Sequence, residues 1–97
     1  MTSKNRKYLE KLAHNLEPIV IIGQNGLTQA VADMCAANIE HHELLKVKYN
    51  EFKDQKVELT QELAQEIGAE TVRIIGNVAI LYRPAQDPTK RKIKLPE

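Results

Sequence analysis

Gly23-Gln24-Asn25-Gly26 lies between a β-branched run, Ile19-Val20-Ile21-Ile22, and a stretch that Thr28 is suited to cap as a helix. Two glycines in such a turn allow positive φ and let a ligand approach the backbone without meeting a Cβ. The helix start that follows offers free N–H groups and the positive end of a dipole, which together suit a phosphate. The turn is not a nucleotide P-loop, because no Gly-Lys-Ser/Thr ending follows, and it does not match Gly-x-Gly-x-x-Gly. A strand-to-helix turn also needs glycine for geometry alone, so the motif by itself leaves a purely structural role open.

Cations supply the second ingredient. On a helical wheel Lys4, Lys7, Lys11 and His14 fall within about 80° of one another, opposite an apolar stripe. Lys46 and Lys48 alternate outward from a strand pattern, where they suit either a phosphate-facing row or a solvated surface. Other candidates carry less. His41-His42-Glu43 invites a metal, but adjacent histidines at a helix end cannot both face one ion and no third imidazole is near in sequence. Cys35 sits at core spacing and reads as a small apolar residue. Glu58, Glu62 and Glu66 form a solvated helical stripe, and His14 has no evident acid partner. Catalytic residues, a metal site and a cofactor are therefore expected to be absent, and the chain is not expected to be an enzyme. With only Tyr8, Tyr49, Phe52 and Tyr82 as aromatics, a sheet carrying several exposed stacking rings is not expected. Any nucleic acid should be held mainly through phosphates, with strong salt dependence.

The elements that position these groups belong to one short chain. Its 97 residues support a single core, and 42% hydrophobic with 28% charged residues is the balance of an ordinary folded domain. One cysteine precludes an internal disulfide. No apolar run approaches the roughly twenty residues of a membrane helix. The charged N-terminus lacks the apolar segment of a secretory signal, so a cytoplasmic protein without membrane association is expected. The net charge of +1 conceals alternation: residues 1–16, 44–56 and 71–97 are basic, whereas 17–43 and 57–70 are acidic. A polyanion would meet a positive surface if folding gathered the basic segments on one side.

Leu9, Leu12, Ala13 and Leu16 predict a helix over residues 4–16, ended by Pro18. Ile19 to Ile22 reads as a strand buried on both faces. A second helix runs from Thr28 to about His41 with Val31, Met34, Cys35 and Ile39 inward. Leu45, Val47 and Tyr49 mark one face of a strand over 44–50. A third helix carries Leu59, Leu63, Ala64 and Ile67 inward and closes at Gly68. Strands 70–75 and 78–82 flank a tight Gly76-Asn77 turn. The order α-β-α-β-α-β-β predicts a single α/β (α+β) domain with a four-stranded mixed sheet. In it, strands separated by helices pair in parallel and the last hairpin is antiparallel. The domain is placed at residues 1–84, followed by a basic tail, 85–97, whose order the sequence leaves open.

Ala13-His14, Pro18 with its apolar strand, Gly23-x-x-Gly26-Leu27-Thr28, His42-Glu43-Leu44-Leu45-Lys46-Val47-Lys48, Gly76 and Leu81-Tyr82-Arg83-Pro84 recur in this order. Together they resemble the CRM (chloroplast RNA splicing and ribosome maturation) domain, in its bacterial stand-alone, YhbY-like form. The resemblance runs from about Lys4 to Pro84. It implies a fold similar to the C-terminal domain of translation initiation factor three. It also implies RNA binding through the GxxG loop, and association with ribosomal RNA in large-subunit precursors. Carried onto this chain, the RNA-binding set is Gly23, Gln24, Asn25, Gly26 and Thr28 with Lys4, Lys7, Lys11, His14, Lys46, Lys48 and Arg83. Gln24 stands where the family often has lysine, so the loop lacks its own cation. Gly26→Asp is expected to weaken RNA binding without unfolding the domain. The chain is expected to be a monomer, and the alternative function is a protein-binding adaptor on the ribosomal particle that docks a basic ribosomal protein through Glu58, Glu62 and Glu66.

Overall fold

The computed structural model describes residues 1–17 and 20–96. Helix α1 (Ser3–Ala13) is capped by Thr2, whose hydroxyl accepts from the Asn5 N–H at 3.1 Å. The chain continues through β1 (Val20–Ile22), α2 (Gln29–His42), β2 (Leu44–Tyr49), a 3₁₀ turn at Lys53–Gln55, α3 (Lys56–Ile67), β3 (Glu70–Ile75) and β4 (Val78–Tyr82). A last 3₁₀ turn occupies Pro88–Lys90. Pro18 and the first residue of the predicted strand, Ile19, lie outside the described residues.

The sheet order is β1-β2-β4-β3. β1 and β2 are parallel, and β4 is antiparallel to both β2 and β3. The α3 crossover thus sets β3 parallel to β2 but one place away, and the tight hairpin slots β4 into the gap. This revises the expected direct pairing of β2 with β3. Gly76 opens the hairpin with φ +57, the positive angle a two-residue turn needs in its first position.

Alternation in β2 divides the core. Leu45, Val47 and Tyr49 join Val20, Ile22, Cys35, Ile39, Leu63 and Ile67 beneath α2 and α3. Leu44 joins Leu9, Ala13, Val72, Ile80 and Tyr82 on the opposite face, beneath α1. The Tyr49 hydroxyl is paired with Thr60 Oγ1 at 2.8 Å, so burying its polar end costs little. Burial pushes the Cys35 thiol up to about 11, which leaves it protonated and unreactive at neutral pH.

Three expectations change. Helix α1 stops at Ala13, and its buried stripe is Asn5, Leu9 and Ala13, while Leu12 and Leu16 are exposed. In α2, Ala32 takes the inward place expected of Met34, which is exposed. Strand β1 is an edge strand buried on one face only: Val20 and Ile22 point inward and Ile21 is 54% exposed.

Two carboxylates hold the C-terminal segment against the domain. Glu43 closes α2 in the left-handed conformation (φ 63), fully buried. One of its oxygens accepts from Ala85 N–H at 2.7 Å, the other from Lys92 and Ile93 N–H at 2.6 and 2.9 Å. Glu40 accepts from the N–H groups of Gln86 and Asp87. Ile93 and Leu95 then pack on the α1-side cluster.

Candidate functional site

Four segments meet at one end of the sheet. The N–H groups of Asn50 and Glu51 donate to Ile22 O at 3.0 and 3.2 Å, joining the loop after β2 to the base of the 23–26 turn. Tyr49 N–H donates to Asn77 O at 2.8 Å, bringing in the β3–β4 hairpin. Lys56, the first residue of α3, donates from Nζ to Gly76 O at 2.6 Å and Asn77 Oδ1 at 3.3 Å. Thr28 caps α2 there, its hydroxyl accepting from Val31 N–H at 3.2 Å.

Within the turn, Gly26 N–H donates to Gly23 O at 3.0 Å, which leaves Gln24 and Asn25 exposed at the tip. The two glycines differ. Gly26 is buried at φ +68, and a Cβ built on it would stand 3.3 Å from the Phe52 ring. Gly23 has no left-handed φ, and nothing lies within 4 Å of where its Cβ would be. The expectation that Gly26→Asp spares the fold is therefore revised. A side chain there meets both a left-handed backbone, worth about 1–2 kcal/mol, and the ring. Gly23→Asp puts the same charge into open space. Denaturant titration should show Gly26→Asp destabilised by about 2 kcal/mol and Gly23→Asp changed by less than about 1 kcal/mol.

The cations divide into spent and available ones. Lys48 is exposed and lies in a row across the sheet, between Ile21 of β1 and Val78 of β4, with Ile75 of β3 beyond. That row faces the α1 side beside the turn, and Ile21 and Ile75 are largely uncovered. Lys46, expected to project outward, bends over the end of α1, where its Nζ donates to Ala13 O at 3.2 Å and Leu16 O at 2.7 Å. It satisfies orphan carbonyls and so fixes where the helix stops.

Helix α1 runs along β3 in the same direction. Met1 lies near Glu70, Arg6 Nε donates to Val72 O at 2.9 Å, and Arg73 pairs with Glu10 at 2.8 Å. His14 borders a cleft with Ile75 and Val78. Lys11 and His14 consequently lie toward the turn end, Lys7 midway and Lys4 at the far end, and all four are exposed.

Arg83 is not brought to the turn. It sits at the other end of β4, where it donates to Ile67 O at 3.1 Å and to Glu40 at 2.6 Å. Its Nε is buried without a partner among the described residues. Sequence reasoning passed over Lys53, exposed in the loop that touches the turn, and Phe52 beside it. The one signal for them is their closeness in sequence to the end of a strand that pairs with β1.

Layering sorts charge as it sorts the core. The α1 side holds Lys4, Lys7, Lys11 and Lys48, and the tail that packs there carries the exposed Lys92 and Lys94. The α2–α3 side carries Asp33, Glu40, Glu58, Glu62 and Glu66. Glu62 and Glu66 flank a groove with Leu27, Thr28 and Gln29, so the start of α2 is acidic on its α3 side. This distribution of charge favours the α1 side for the approach of a polyanion to the turn. Among the described residues no three His, Cys, Asp or Glu side chains gather as a metal site, and no helix is long and apolar enough to cross a membrane.

A family model of the CRS1/YhbY (CRM) domain matches residues 1–83. The chain is 36% identical over 97 residues to a Haemophilus influenzae protein named as an RNA-binding protein, covering 99% of this chain and 95% of that one. It is 32% identical to a Pseudomonas aeruginosa protein, over 93% of this chain and 88% of the relative. The solution structure of a hypothetical protein from Staphylococcus aureus superposes with a TM-score of 0.80 at 35% identity, covering 99% of each chain. A match of this extent, supported by relatives that align along nearly their whole length, shows that the chain belongs to the CRS1/YhbY (CRM) domain family.

Proposed function

We propose that the chain is an RNA-binding protein of the cytoplasm that engages ribosomal RNA in large-subunit precursors as a monomer, without cofactor or catalysis. One observation supports this reading: exposed lysines lie on the α1 side of the sheet, Lys48 and Lys11 toward the 23–26 turn, and the carboxylates of α2 and α3 lie on the other side. A sugar–phosphate chain would run over Gly23, Gln24 and Asn25, with Lys48 and Lys11 among its near cations and the His14 imidazole beside them. Lys7, Lys4 and the tail lysines would extend the track, while Gly26, Thr28 and Lys46 hold the geometry. Arg83 would act at a distance by tethering β4 to α2. The name of the Haemophilus influenzae relative supports RNA as the partner. Large-subunit precursors are what the resemblance to CRM domains implies.

Affinity for single-stranded RNA should fall steeply with salt. A strand touching about four phosphates gives a slope near −3 in log K against log salt concentration. A flat response in a binding titration would contradict a phosphate-led mode. Crosslinking in cells with sequencing of the attached RNA should recover large-subunit ribosomal RNA. The exposed acidic stripe of α3, Glu58, Glu62 and Glu66, favours a second reading, an adaptor that docks basic ribosomal proteins. Reversing Glu58, Glu62 and Glu66 to lysine separates the two. An adaptor would lose particle association while keeping affinity for naked RNA.

A further inference from the structure

Phe52 is the only phenylalanine in the chain, and it belongs to neither core cluster. The residue is 43% exposed, yet its ring rests against Gly26 of the turn. Its backbone is left-handed (φ 57, ψ 35), an uncommon conformation for a bulky residue, and the neighbouring Asn50 and Glu51 N–H bonds to Ile22 O hold that part of the loop beside the turn. Of the other aromatics, Tyr49 and Tyr82 are buried in the sheet, and Tyr8, though exposed, lies on α1 and not in this loop. The loop surrounds an open depression of about 450 Å³ lined by Asn50, Glu51, Phe52, Lys53, Asp54 and Gln55.

The charge of that lining selects its occupant. Two carboxylates against one lysine disfavour a phosphate, whereas an uncharged flat ring meets an aromatic face, two amides and carboxylates able to accept from exocyclic amino groups. The geometry points to Phe52 as the stacking platform for one unpaired nucleobase of the strand whose backbone crosses the 23–26 turn. This rests on the RNA reading above and deepens it: phosphates lie on the Lys48 side of the turn and a splayed base lies on the Phe52 side. The single ring gives sequence-tolerant stacking, unlike a sheet bearing several rings.

The chain contains no tryptophan, so Phe52→Trp installs a single tryptophan at the site, which can be excited selectively over the three tyrosines. Titrating that variant with a single-stranded adenosine 12-mer should quench its emission, whereas inorganic polyphosphate, a polyanion without bases, should not. Phe52→Asn keeps a residue tolerant of the left-handed backbone but removes the ring. It should bind the 12-mer about tenfold more weakly, bind polyphosphate unchanged, and recover when the position is tyrosine. Equal losses toward both polyanions, unchanged 12-mer affinity, or an unquenched tryptophan in a bound complex would overturn the stacking role. If Phe52→Asn proves less stable, the quenching contrast decides alone. Failure of the wild-type chain to bind any RNA would overturn the RNA reading itself and this proposal with it.

Discussion

Glu43→Gln is expected to cost about 3–5 kcal/mol of folding stability and to release the C-terminal segment, because the carboxylate it removes is fully buried and satisfies three backbone donors. The amide that replaces it accepts through one oxygen only and turns its own N–H groups toward N–H donors. Each donor left unsatisfied away from water costs about 1–3 kcal/mol, against a total stability of roughly 5–15 kcal/mol for a domain of this kind. Amide exchange at Ala85, Lys92 and Ile93 should accelerate more than exchange in β2 and β4, since Ile93 and Leu95 lose their anchor before the sheet loses its core. The same carboxylate predicts a pH response. Burial pushes the Glu43 carboxyl up, but the Lys92, Ile93 and Ala85 N–H groups and the Arg91 charge outweigh it and hold it below the usual range. Glu40 is lowered by the Gln86 and Asp87 N–H groups, aided by Arg83 and Lys90. A carboxyl lowered by folding binds its proton more weakly in the native state than in the unfolded one. The stability it gives is present above the unfolded value, about 4.3 for glutamate, and is lost as pH falls through the folded value. Denaturant midpoints should fall on acidification below about pH 4, and the Gln variant should show a shallower fall.

Much of this fold is legible from short-range pattern. Thr28 caps α2, Gly68 closes α3 in the left-handed conformation, and the alternation Leu45, Val47, Tyr49 sets the inner face of β2. Each depends on neighbours within a few residues. What escaped the sequence is non-local. Glu43 reads as the end of an acidic segment beside two histidines, because its partners are 42, 49 and 50 residues away and are backbone groups without a sequence signature. The exposure of Ile21 depends on the α1 side of β1 being left uncovered, which a β-branched run does not reveal. Alternation correctly puts Lys46 and Lys48 on one face. That the first meets the end of a helix and the second open solvent depends on where α1 stops. Half of the candidate site was therefore readable as residue types, and its division into structural and exposed cations was not.

That division supplies the second large effect. A Lys11→Glu, Lys48→Glu double variant is expected to lose about a hundredfold in affinity for single-stranded RNA at low salt, since a charge-assisted contact contributes about 1.5–3 kcal/mol and reversal adds repulsion. Lys48 lies beside the turn in the row with Ile21, and Lys11 is exposed in the last turn of α1. Neither forms an ion pair among the described residues. Their replacement should cost less than about 1 kcal/mol of stability, mostly from placing a carboxylate at the negative end of α1. The salt slope should flatten by about 1.4, the share of two phosphates on a single strand. Lys46 makes the contrast informative. Lys46→Gln removes a cation from the same strand, but it strips two carbonyls of a charged donor and should show first in thermal unfolding rather than in RNA titration. If the double variant bound RNA normally while folded, the strand would have to lie elsewhere than on the α1 side. If Lys46→Gln weakened binding without touching stability, its Nζ would be leaving Ala13 and Leu16 to meet the ligand. The paired measurement therefore tests whether the surface is defined by cations that the fold leaves unspent.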